Sequence, residues 1–443
     1  MEGFMVWVGA AIVIATFWLI YKNYEPRLVL FLSGLVMLIL GQYIVGSKID
    51  ITTGMTAFVK TLVNGGLVPT FTTVMGFGYV MSYTKCSDHM VNAMVRPLTK
   101  VPAIVIPGAV IITWICNIFL PSAVGVAASV GVLLIPALVA LGVNPIMACA
   151  AVFLGTWGSA VSPGLMFNPQ VADIAYRAGE ISSPDAMIVI MAEFVPALIA
   201  AVCAALILAV LAKVLKEGVG TTKITETKAA EMKNFKINYL YALVPILPLA
   251  LLVLASKQVG LLPTKTFSVP VCMLIGTGVG MLVGLVEKFS PGKCSTQFCK
   301  GCGEAFGSIA LLMGGAAVFA AGMNSIGLTG ELVDLMKASQ SAAQIAAAVG
   351  PFVMAIVCGS GNAAALAFNE AITPHAHEFG MTIVQLGAVA QMCAGIGRSM
   401  SPIAGGVIVL AGIAGVSPME ACKRTALPCV VAAVVFTVVM YIF

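Results

Sequence analysis

Charged side chains are scarce in this sequence. Asp, Glu, Lys and Arg make up 9% of the 443 residues, 60% of the residues are hydrophobic, and the mean hydropathy is +1.05. A soluble domain of this length carries far more charge on its surface, so the composition excludes a soluble globular protein. The long apolar runs predict an all-α polytopic membrane protein instead.

The sequence also lacks signals for ATP binding, for a cleaved signal peptide and for nucleic-acid binding. No nucleotide-binding P-loop motif occurs, which argues against transport driven by ATP. Met1, Glu2 and Gly3 do not form the basic start of a cleaved signal peptide, so we expect the apolar run that follows to be the first span. The net charge of +5 comes from Lys and Arg in loops, and it predicts membrane orientation rather than nucleic-acid binding.

Patterns for disulfides and metals are weak. Most of the twelve cysteines lie within apolar runs, where a thiol behaves as a small hydrophobe. Cys294, Cys299 and Cys302 lack a clear fourth ligand for zinc, and their role stays open. His375 and His377 lie near the predicted end of a hairpin, where a solvated helix end is a simpler interpretation than a metal site. We therefore predict no metal and no cofactor.

The apolar runs fall into two halves with the same order of elements. Residues 1–215 contain predicted spans at 4–21, 27–46, 66–84 and 186–213, a hairpin at 102–142 and a broken helix at 145–179. Residues 237–443 contain predicted spans at 237–256, 266–286, 303–326 and 419–442, a hairpin at 341–378 and a broken helix at 382–412. The charged segment 216–236 is predicted to be a solvent linker with a short helix at 229–232. Amphipathic stretches at 51–63, 86–100 and 328–338 are predicted to lie along the membrane interface.

Each half contains five crossings and one re-entrant hairpin, and an odd number of crossings makes the two halves inverted repeats. This topology puts sixteen of the 23 Lys and Arg residues on one side, six on the other and Arg398 within the membrane. The excess of positive charge predicts a cytoplasmic linker at 216–236 and both termini on the outside. The predicted location is a cell inner membrane, with the broken helices at the midplane.

Four polar breaks interrupt the apolar helices. The hairpin tips read Pro121-Ser122-Ala123 and Gly359-Ser360-Gly361-Asn362, and the broken helices are interrupted at Gly158–Asn168 and Gly397–Pro402. Ser122 and Ser162 are 40 positions apart, and Ser360 and Ser401 are 41 apart, so the spacing repeats. A single such break is typical of close helix packing. Matched breaks in corresponding halves favour a transporter site at the bilayer midplane.

The chemistry of these breaks suits an anion. Helix N-termini at the breaks expose unpaired N–H groups and a partial positive charge, and carbonyl groups at helix C-termini suit Na⁺. The Arg398 guanidinium can hold a carboxylate through two hydrogen bonds, which predicts a small carboxylate substrate. The alternative is that Arg398 is structural and pairs with Glu370 or another internal acid. Glu370 and Asp173 are the candidates for a coupling proton, although each can equally be a structural acid.

The second half contains motifs that resemble the DcuC-type anaerobic C4-dicarboxylate carriers of the ion-transporter superfamily. The motifs are AVFAAGMNSIGL, CGSGNAAALAFNEAITPHAHEFGM and GIGRSMSPIAGGVIVLAGIAGVSPMEACKRT. The resemblance implies secondary transport of succinate, fumarate or malate by a homodimer that works as an elevator, with a scaffold region and a moving region that carries both hairpins. With Gly359 from the same break, it implies these substrate-binding residues: Ser122, Ser159, Ser162, Pro163, Gly359, Ser360, Gly361, Asn362, Arg398, Ser399, Ser401 and Pro402.

Several alternatives stay open. The small residues Ala363, Ala364 and Ala365 after Asn362 leave room for another anion, such as a short-chain fatty acid, an amino-acid derivative or an oxyanion. An anion channel can be built on the same fold. A membrane enzyme is disfavoured, because the apolar core contains no nucleophile–base or metal-ligand constellation. The coupling ion, Na⁺ or H⁺, is not determined by the sequence.

Overall fold

A computed structural model describes residues 2–22, 24–98, 101–163, 165–221, 236–255, 261–263, 266–337 and 340–442. All regular secondary structure in these ranges is helical. The short helix predicted at 229–232 lies outside the described residues.

The first half folds into helices that follow the predicted order. They are α1 (Glu2–Tyr21), α2 (Pro26–Leu40), α3 (Ile51–Leu62), α4 (Leu67–Tyr83), α5 (Cys86–Leu98), α6 (Val105–Phe119), α7 (Ala123–Ala140), α8 (Pro145–Leu154), α9 (Phe167–Arg177) and α10 (Ala186–Val214). A π-helical turn at Gly41–Val45 extends α2, and 3₁₀ turns lie at Pro102–Ile104 and Gly155–Val161.

The second half has a similar order. Its helices are α11 (Tyr239–Leu243), α12 (Leu247–Ala255), α13 (Val269–Val286), α14 (Pro291–Ala305), α15 (Leu311–Ser325), α16 (Leu328–Lys337), α17 (Gln340–Cys358), α18 (Gly361–Ala371), α19 (Ile383–Arg398), α20 (Gly405–Ala414) and α21 (Pro418–Ile442). A 3₁₀ turn at Val244–Ile246 joins α11 to α12, and another lies at Thr373–Phe379.

Within the described ranges, eight helices are long and apolar enough to cross a membrane. They are Phe4–Tyr21, Pro26–Val45, Ala123–Ala140, Ala186–Val214, Val269–Val286, Pro291–Ser325, Ser341–Cys358 and Pro418–Ile442. Shorter apolar helices include one arm of the first predicted hairpin, Val105–Phe119, and parts of the two broken helices, Pro145–Val161 and Gly405–Ala414. The protein is therefore a multi-pass membrane protein, as the composition predicts.

One span differs from its predicted bounds. The sequence predicts a span at 303–326, but α14, a π-helical turn at Phe306–Ala310 and α15 form one helical segment that begins at Pro291. The added turns are polar, and a hydropathy pattern excludes them. They nevertheless remain helical, because their apolar side packs against α4.

Glycine allows close contact between the halves. A side chain at Gly322 of α15 would lie 2.6 Å from the Gly34 carbonyl oxygen of α2, and one at Gly301 of α14 would lie 2.6 Å from the Met75 carbonyl oxygen of α4. Small residues let membrane helices approach until their backbones touch. These contacts join α2 to α15 and α4 to α14.

The two broken helices form the centre of the other group of elements. Residues 147–154 in α8 and 386–397 in α19 are buried throughout. Arms α6 and α7 of the first hairpin pack against the first broken helix, arms α17 and α18 of the second pack against α19, and α10 packs against α21. Both helix breaks are consequently held inside the protein.

Candidate functional site

Both hairpin tips begin their second arm in the same way. Ser122 precedes α7 with extended backbone angles (φ −114°, ψ 112°), and its hydroxyl accepts a hydrogen bond from the Gly125 N–H at 3.1 Å. Ser360 precedes α18 with φ −129° and ψ 105°, and its hydroxyl accepts from the Ala363 N–H at 3.3 Å. A serine at this position satisfies one of the free N–H groups of a helix start. The other N–H groups in the first turn of each helix have no partner within the helix, and they lie at the hairpin tip.

Asparagine side chains support the break in the first broken helix. The Asn117 side-chain oxygen accepts from the Ser159 N–H at 2.8 Å. The Asn168 amide donates to the carbonyl oxygens of Ala160, at 2.8 Å, and Ser162, at 3.2 Å. Backbone groups that the broken helix leaves unpaired thereby find partners inside the protein, as a membrane protein requires.

The second broken helix ends α19 at Arg398 and resumes at Gly405. Ser399 is buried, with its hydroxyl 3.4 Å from the Thr156 hydroxyl, and its carbonyl accepts from the Thr425 hydroxyl at 2.8 Å. Ser401 is also buried, and its hydroxyl has no hydrogen-bond partner among the described residues. The two serines therefore face protein rather than open space.

Arg398 joins the two breaks. Its Nη2 donates to the carbonyl oxygen of Thr156 and lies 3.3 Å from the Thr156 hydroxyl. Its Nε is buried and has no hydrogen-bond partner in the part of the chain that the structure describes. Glu370 accepts instead from the Gln170 amide at 3.2 Å. The structure thus gives Arg398 a partner other than Glu370, and Nε has no partner among the described residues.

A cavity of 210 Å³ brings several of the predicted site residues together. Five of them lie on its wall: Ser122, Ser159, Gly361, Asn362 and Arg398. The first turns of α7 and α18 therefore meet the guanidinium of Arg398 at one cavity. The opposite wall is formed by Met75 of α4 and by Glu304, Ser308 and Ile309 at the junction of α14 and α15.

The electrostatics of this cavity favour an anion at its inner end. Two helix N-termini each contribute a partial positive charge, and Arg398 contributes a full one. Glu304 is the acidic residue on the wall, and it is exposed. Its carboxylate accepts a hydrogen bond from the Tyr79 hydroxyl. Glu304, Ser308 and Val124 on the wall are exposed whereas Arg398 is half-buried, so Arg398 lies at the inner end of the cavity.

Seven predicted site residues do not line the cavity. Gly359 has φ +67°, a left-handed backbone that favours glycine, and forms the turn before the capping residue Ser360. The remaining five lie in the breaks behind the wall: Ser162, Pro163, Ser399, Ser401 and Pro402. Substrate contact by these seven residues stays a prediction.

Larger cavities lie elsewhere in the described structure. A groove of 610 Å³ between α17 and α21 is lined almost wholly by apolar side chains, as is expected of a surface that faces lipid. A pocket of 710 Å³ is formed mainly by loops near residues 182–187 and 263–270. Neither includes a residue of the four breaks. Size alone therefore does not identify the site, and the chemistry of the smaller cavity does.

The predicted coupling residues share a separate pocket. Glu370 and Asp173 line a cavity of 270 Å³ together with Gln170, Lys60 and Arg177. Arg177 Nε lies 3.0 Å from Asp173 Oδ2. Both acids thus have polar or cationic neighbours, and they do not contact the cavity that Arg398 lines.

The histidines near residue 376 pair with carboxylates. His375 Nδ1 lies 2.7 Å from Glu378, and His377 Nε2 lies 3.3 Å from Glu180. Glu180 also accepts from the N–H groups of Ile383 and Val384, at 2.6 and 3.2 Å, so that it caps the start of α19. Within the described residues, no group of three or more His, Cys, Asp and Glu side chains is placed to hold a metal ion.

Sequence reasoning missed two features of this region. Glu304 and Ser308 lie on the cavity wall, but they belong to the polar start of a span, where no break signals a site. Glu193 is fully buried in α10 and accepts a hydrogen bond from Gln391. An ionisable residue inside an apolar span is itself a signal of function, and Glu193 carries that signal.

Comparisons with known proteins identify a family of transporters. The family model for DcuC, the C4-dicarboxylate anaerobic carrier, matches residues 6–443. An uncharacterised transporter of Haemophilus influenzae is 41% identical over 246 residues, which cover 54% of this chain and 87% of that protein. The anaerobic C4-dicarboxylate transporter DcuC of Escherichia coli K12 is 26% identical over 462 residues, covering 97% of this chain and 95% of the relative.

A solved structure has the same fold. The YdaH transporter of Alcanivorax borkumensis superposes with a TM-score of 0.62, over 95% of this chain and 98% of that one. The sequence identity is 14%, so the likeness concerns the fold alone.

Proposed function

Because this chain belongs to the DcuC family of C4-dicarboxylate anaerobic carriers, we propose that it is a secondary active transporter of small dicarboxylates such as succinate, fumarate and malate. The chain is a membrane transporter, as its family and relatives are, and it is not an enzyme. One observation carries the choice of substrate class: the N-termini of α7 and α18 meet Arg398 at a single cavity.

The cavity suits a short diacid in charge and size. Arg398 binds one carboxylate through its guanidinium group, while the N–H groups of the two helix starts bind negative charge at the hairpin tips. Asn362 and Ser159 supply neutral hydrogen bonds that fix orientation. The volume of 210 Å³ is smaller than the roughly 300–1,000 Å³ of pockets for drug-sized ligands, which favours a molecule of a few carbon atoms.

The proposal includes two inverted repeats, 1–215 and 237–443, joined by a cytoplasmic linker at 216–236. In the order of elements, α2, α3 and α4 of the first half correspond to α13, α14 and α15 of the second. Contacts between the halves follow this correspondence and support the proposal. α2 and α3 pack on α15, and α13 and α14 pack on α4. The serine caps at residues 122 and 360 form another matched pair. Internal symmetry of this kind is typical of secondary transporters.

We propose alternating access by an elevator movement of one region against the other. The hairpins, the broken helices, α10 and α21 form the moving region, and α1–α4 with α11–α15 form the scaffold. The cavity supports this division, because its wall contains residues from both groups. The family resemblance extends the proposal to a homodimer in the inner membrane, with both termini outside.

The test of the substrate class is the exchange of labelled succinate in proteoliposomes, combined with equilibrium binding in detergent. Arg398→Ala is expected to weaken succinate binding by roughly 10- to 100-fold, since a hydrogen bond to a charged group contributes roughly 1.5–3 kcal/mol. Arg398→Lys is expected to restore only part of the affinity, because Lys cannot form the two parallel hydrogen bonds. Arg177→Ala, which removes an arginine outside the cavity, is the matched control and is expected to bind normally.

Two results would contradict the proposal. One is unchanged succinate binding by Arg398→Ala alongside intact folding. The other is the absence of counterflow, in which labelled succinate enters against its gradient by exchange with unlabelled succinate inside. A channel cannot produce counterflow, so its absence would favour a channel on the same fold.

A further inference from the structure

Three polar side chains meet in the interior of the protein, behind the cavity wall. Glu193 of α10, Gln391 of α19 and Asn168 at the start of α9 are each 0% exposed. Gln391 Nε2 donates to Glu193 Oε2 at 2.9 Å and to Asn168 Oδ1 at 2.5 Å. We call these three residues the buried polar triad.

The triad has more acceptors than donors. Glu193 Oε1 and Gln391 Oε1 are buried without a hydrogen-bond partner in the described part of the chain. The Gln391 amide already donates to Glu193 and to the side-chain oxygen of Asn168. The Asn168 amide already donates to two carbonyls of the break. Buried acceptors without partners are uncommon in native proteins, so a hydrogen-bond donor is expected beside them. A proton on Glu193 supplies that donor, and it also removes a buried negative charge.

No cation compensates Glu193 within the described residues. The charged groups on the helices packed against α10 have other partners: Asp173 pairs with Arg177 on α9, Arg398 contacts Thr156, and on α21 Lys423 pairs with Glu420 while Arg424 pairs with Glu217 and Glu420. The other titratable groups on these helices are thiols and phenols, which carry no positive charge. They are Cys116, Cys149, Tyr176, Cys393, Cys422, Cys429 and Tyr441.

Hydrogen bonds connect the triad to the cavity. Asn168 donates to the carbonyls of Ala160 and Ser162, which follow Ser159 on the break, and Ser159 lies on the cavity wall. Gln391 precedes Arg398 by seven positions on α19, and Arg398 contacts Thr156 of the same break. A change in protonation at Glu193 therefore acts on both breaks that form the cavity.

We propose that Glu193 is the proton-binding residue through which this carrier couples dicarboxylate movement to H⁺, an inference that rests on the transport function proposed above. The Glu193 carboxylate takes up one proton, and the resulting hydroxyl donates to an acceptor of the triad. Release of the proton restores the carboxylate. The triad lies on the same helices as the site, so a proton bound at Glu193 crosses the membrane with them. We propose that proton and substrate are bound in the same half-cycle, as in a symporter.

Other ions and other acids fit the structure less well. The triad offers two unpartnered oxygens, and amide donors occupy the rest of its surroundings, so a Na⁺ ion lacks ligands there. Asp173 pairs with Arg177, and the Glu370 carboxylate accepts a hydrogen bond from the Gln170 amide, so each of these acids has a partner other than a proton.

The experiment uses the full-length protein in proteoliposomes with labelled succinate. Glu193→Gln is expected to retain exchange at equal pH on both sides and to lose the accumulation that a pH gradient, acidic outside, drives in the wild type. Glu193→Asp keeps a titratable carboxyl group and is expected to restore part of that accumulation. Glu331→Gln, at an exposed glutamate on α16, is the matched control and is expected to behave as the wild type.

A second readout does not depend on transport. The infrared carbonyl band of a protonated carboxylic acid is expected in the wild type and is expected to be lost in Glu193→Gln. This band tests the proton site even if succinate is not exchanged, an outcome that would overturn the transport proposal alone. The proton site is overturned by an unchanged band, or by normal pH-driven accumulation in Glu193→Gln. It is also overturned by accumulation that responds only to a Na⁺ gradient, or by coupling that disappears in Asp173→Asn or Glu370→Gln and survives in Glu193→Gln.

Discussion

Two serines determine how the hairpin tips present helix N-termini to the cavity. Ser122 and Ser360 each accept an N–H from the first turn of the helix that follows. Their hydroxyls leave the other N–H groups of that turn free to bind a ligand. The role of each serine is thus to hold the tip in shape, and Ser122 additionally lies on the cavity wall.

Replacement of either serine by alanine is expected to lower the free energy of unfolding by about 1 kcal/mol, the usual effect of losing a helix cap. Glycine at the same positions is expected to cost only a few tenths of a kcal/mol, because it tolerates the cap backbone. Thermal unfolding of the purified protein in detergent, with and without succinate, measures both effects. An equal decrease in the free energy of unfolding for the alanine and glycine variants would show that the serine hydroxyl does not act as a helix cap.

The sequence is informative about single residues where a polar group interrupts an apolar run. Ser122, Asn362 and Arg398 stand out for this reason, and they do lie on one cavity wall. Glu304 does not stand out, since its neighbours are polar and only the contact between α14 and α4 brings it to the cavity. Whether Ser401 points into the cavity or into protein depends on side-chain packing, which no sequence pattern encodes.

At the scale of elements, the amphipathic helices connect the two halves. The helix α5 lies outside the candidate membrane spans and packs against α11. His89 of α5 accepts the Asn238 N–H at Nδ1, at 3.1 Å, and its ring lies edge-on to Tyr241 with 5.4 Å between centroids. This contact depends on a neutral imidazole, since a protonated Nδ1 cannot accept a hydrogen bond.

Burial lowers the pKa of His89 from its usual 6.5, although the nearby Asp88 acts in the opposite direction. The neutral ring is therefore favoured in the folded protein. The contribution of the neutral ring to the free energy of unfolding is complete above pH 6.5. It is lost as the pH falls from 6.5 towards the lower pKa that His89 has in the folded protein. We expect the thermal stability of the wild type to fall between about pH 8 and pH 5 by more than that of His89→Gln.

The His89→Gln variant is informative because glutamine offers an acceptor that does not titrate in this range. Thermal unfolding at several pH values, in the same detergent and salt, compares the two proteins. Parallel pH profiles would show that His89 does not contribute to the pH dependence and that other groups account for it.

Element order is easier to predict than element length. The ends of the helices beside the four polar breaks were predictable, because Pro, Gly and Ser mark them. The helical segment that starts at Pro291 was not, because its polar first turns resemble a loop in composition. Tertiary packing on α4 keeps those turns helical and places Glu304 and Ser308 at the cavity.

At the scale of the whole molecule, the charge bias and the cavity make a joint prediction. The charge bias of the sequence predicts that the linker side, with Lys288, Lys293 and Lys300 near α14, faces the cytoplasm. The cavity opens beside Glu304 and Ser308 of the same helical segment, where both residues are exposed. The conformation in the structure is therefore expected to be open to the cytoplasm.

Labelling with a membrane-impermeant maleimide tests this orientation. Among the twelve free cysteines, Cys299 is exposed and Cys203 and Cys302 are half-buried, while the others are buried. Ser308→Cys, in a background with those three replaced by serine, is expected to react in inside-out vesicles and not in right-side-out ones. Succinate is expected to slow the reaction, because it occupies the cavity that Ser308 lines.

A variant that keeps Cys299 as its one accessible thiol provides the control, because Cys299 lies on the same helix, α14, but does not line the cavity. It is expected to react from the same side as Ser308→Cys and at a rate that succinate does not change. Reaction of both thiols from the outside would reverse the predicted orientation of the whole chain, since every loop position follows from the side of this helix. Equal protection of both thiols by succinate would mean that the ligand changes the conformation of α14 rather than filling the cavity, and the cavity would then no longer be the site at which the two regions hold the substrate.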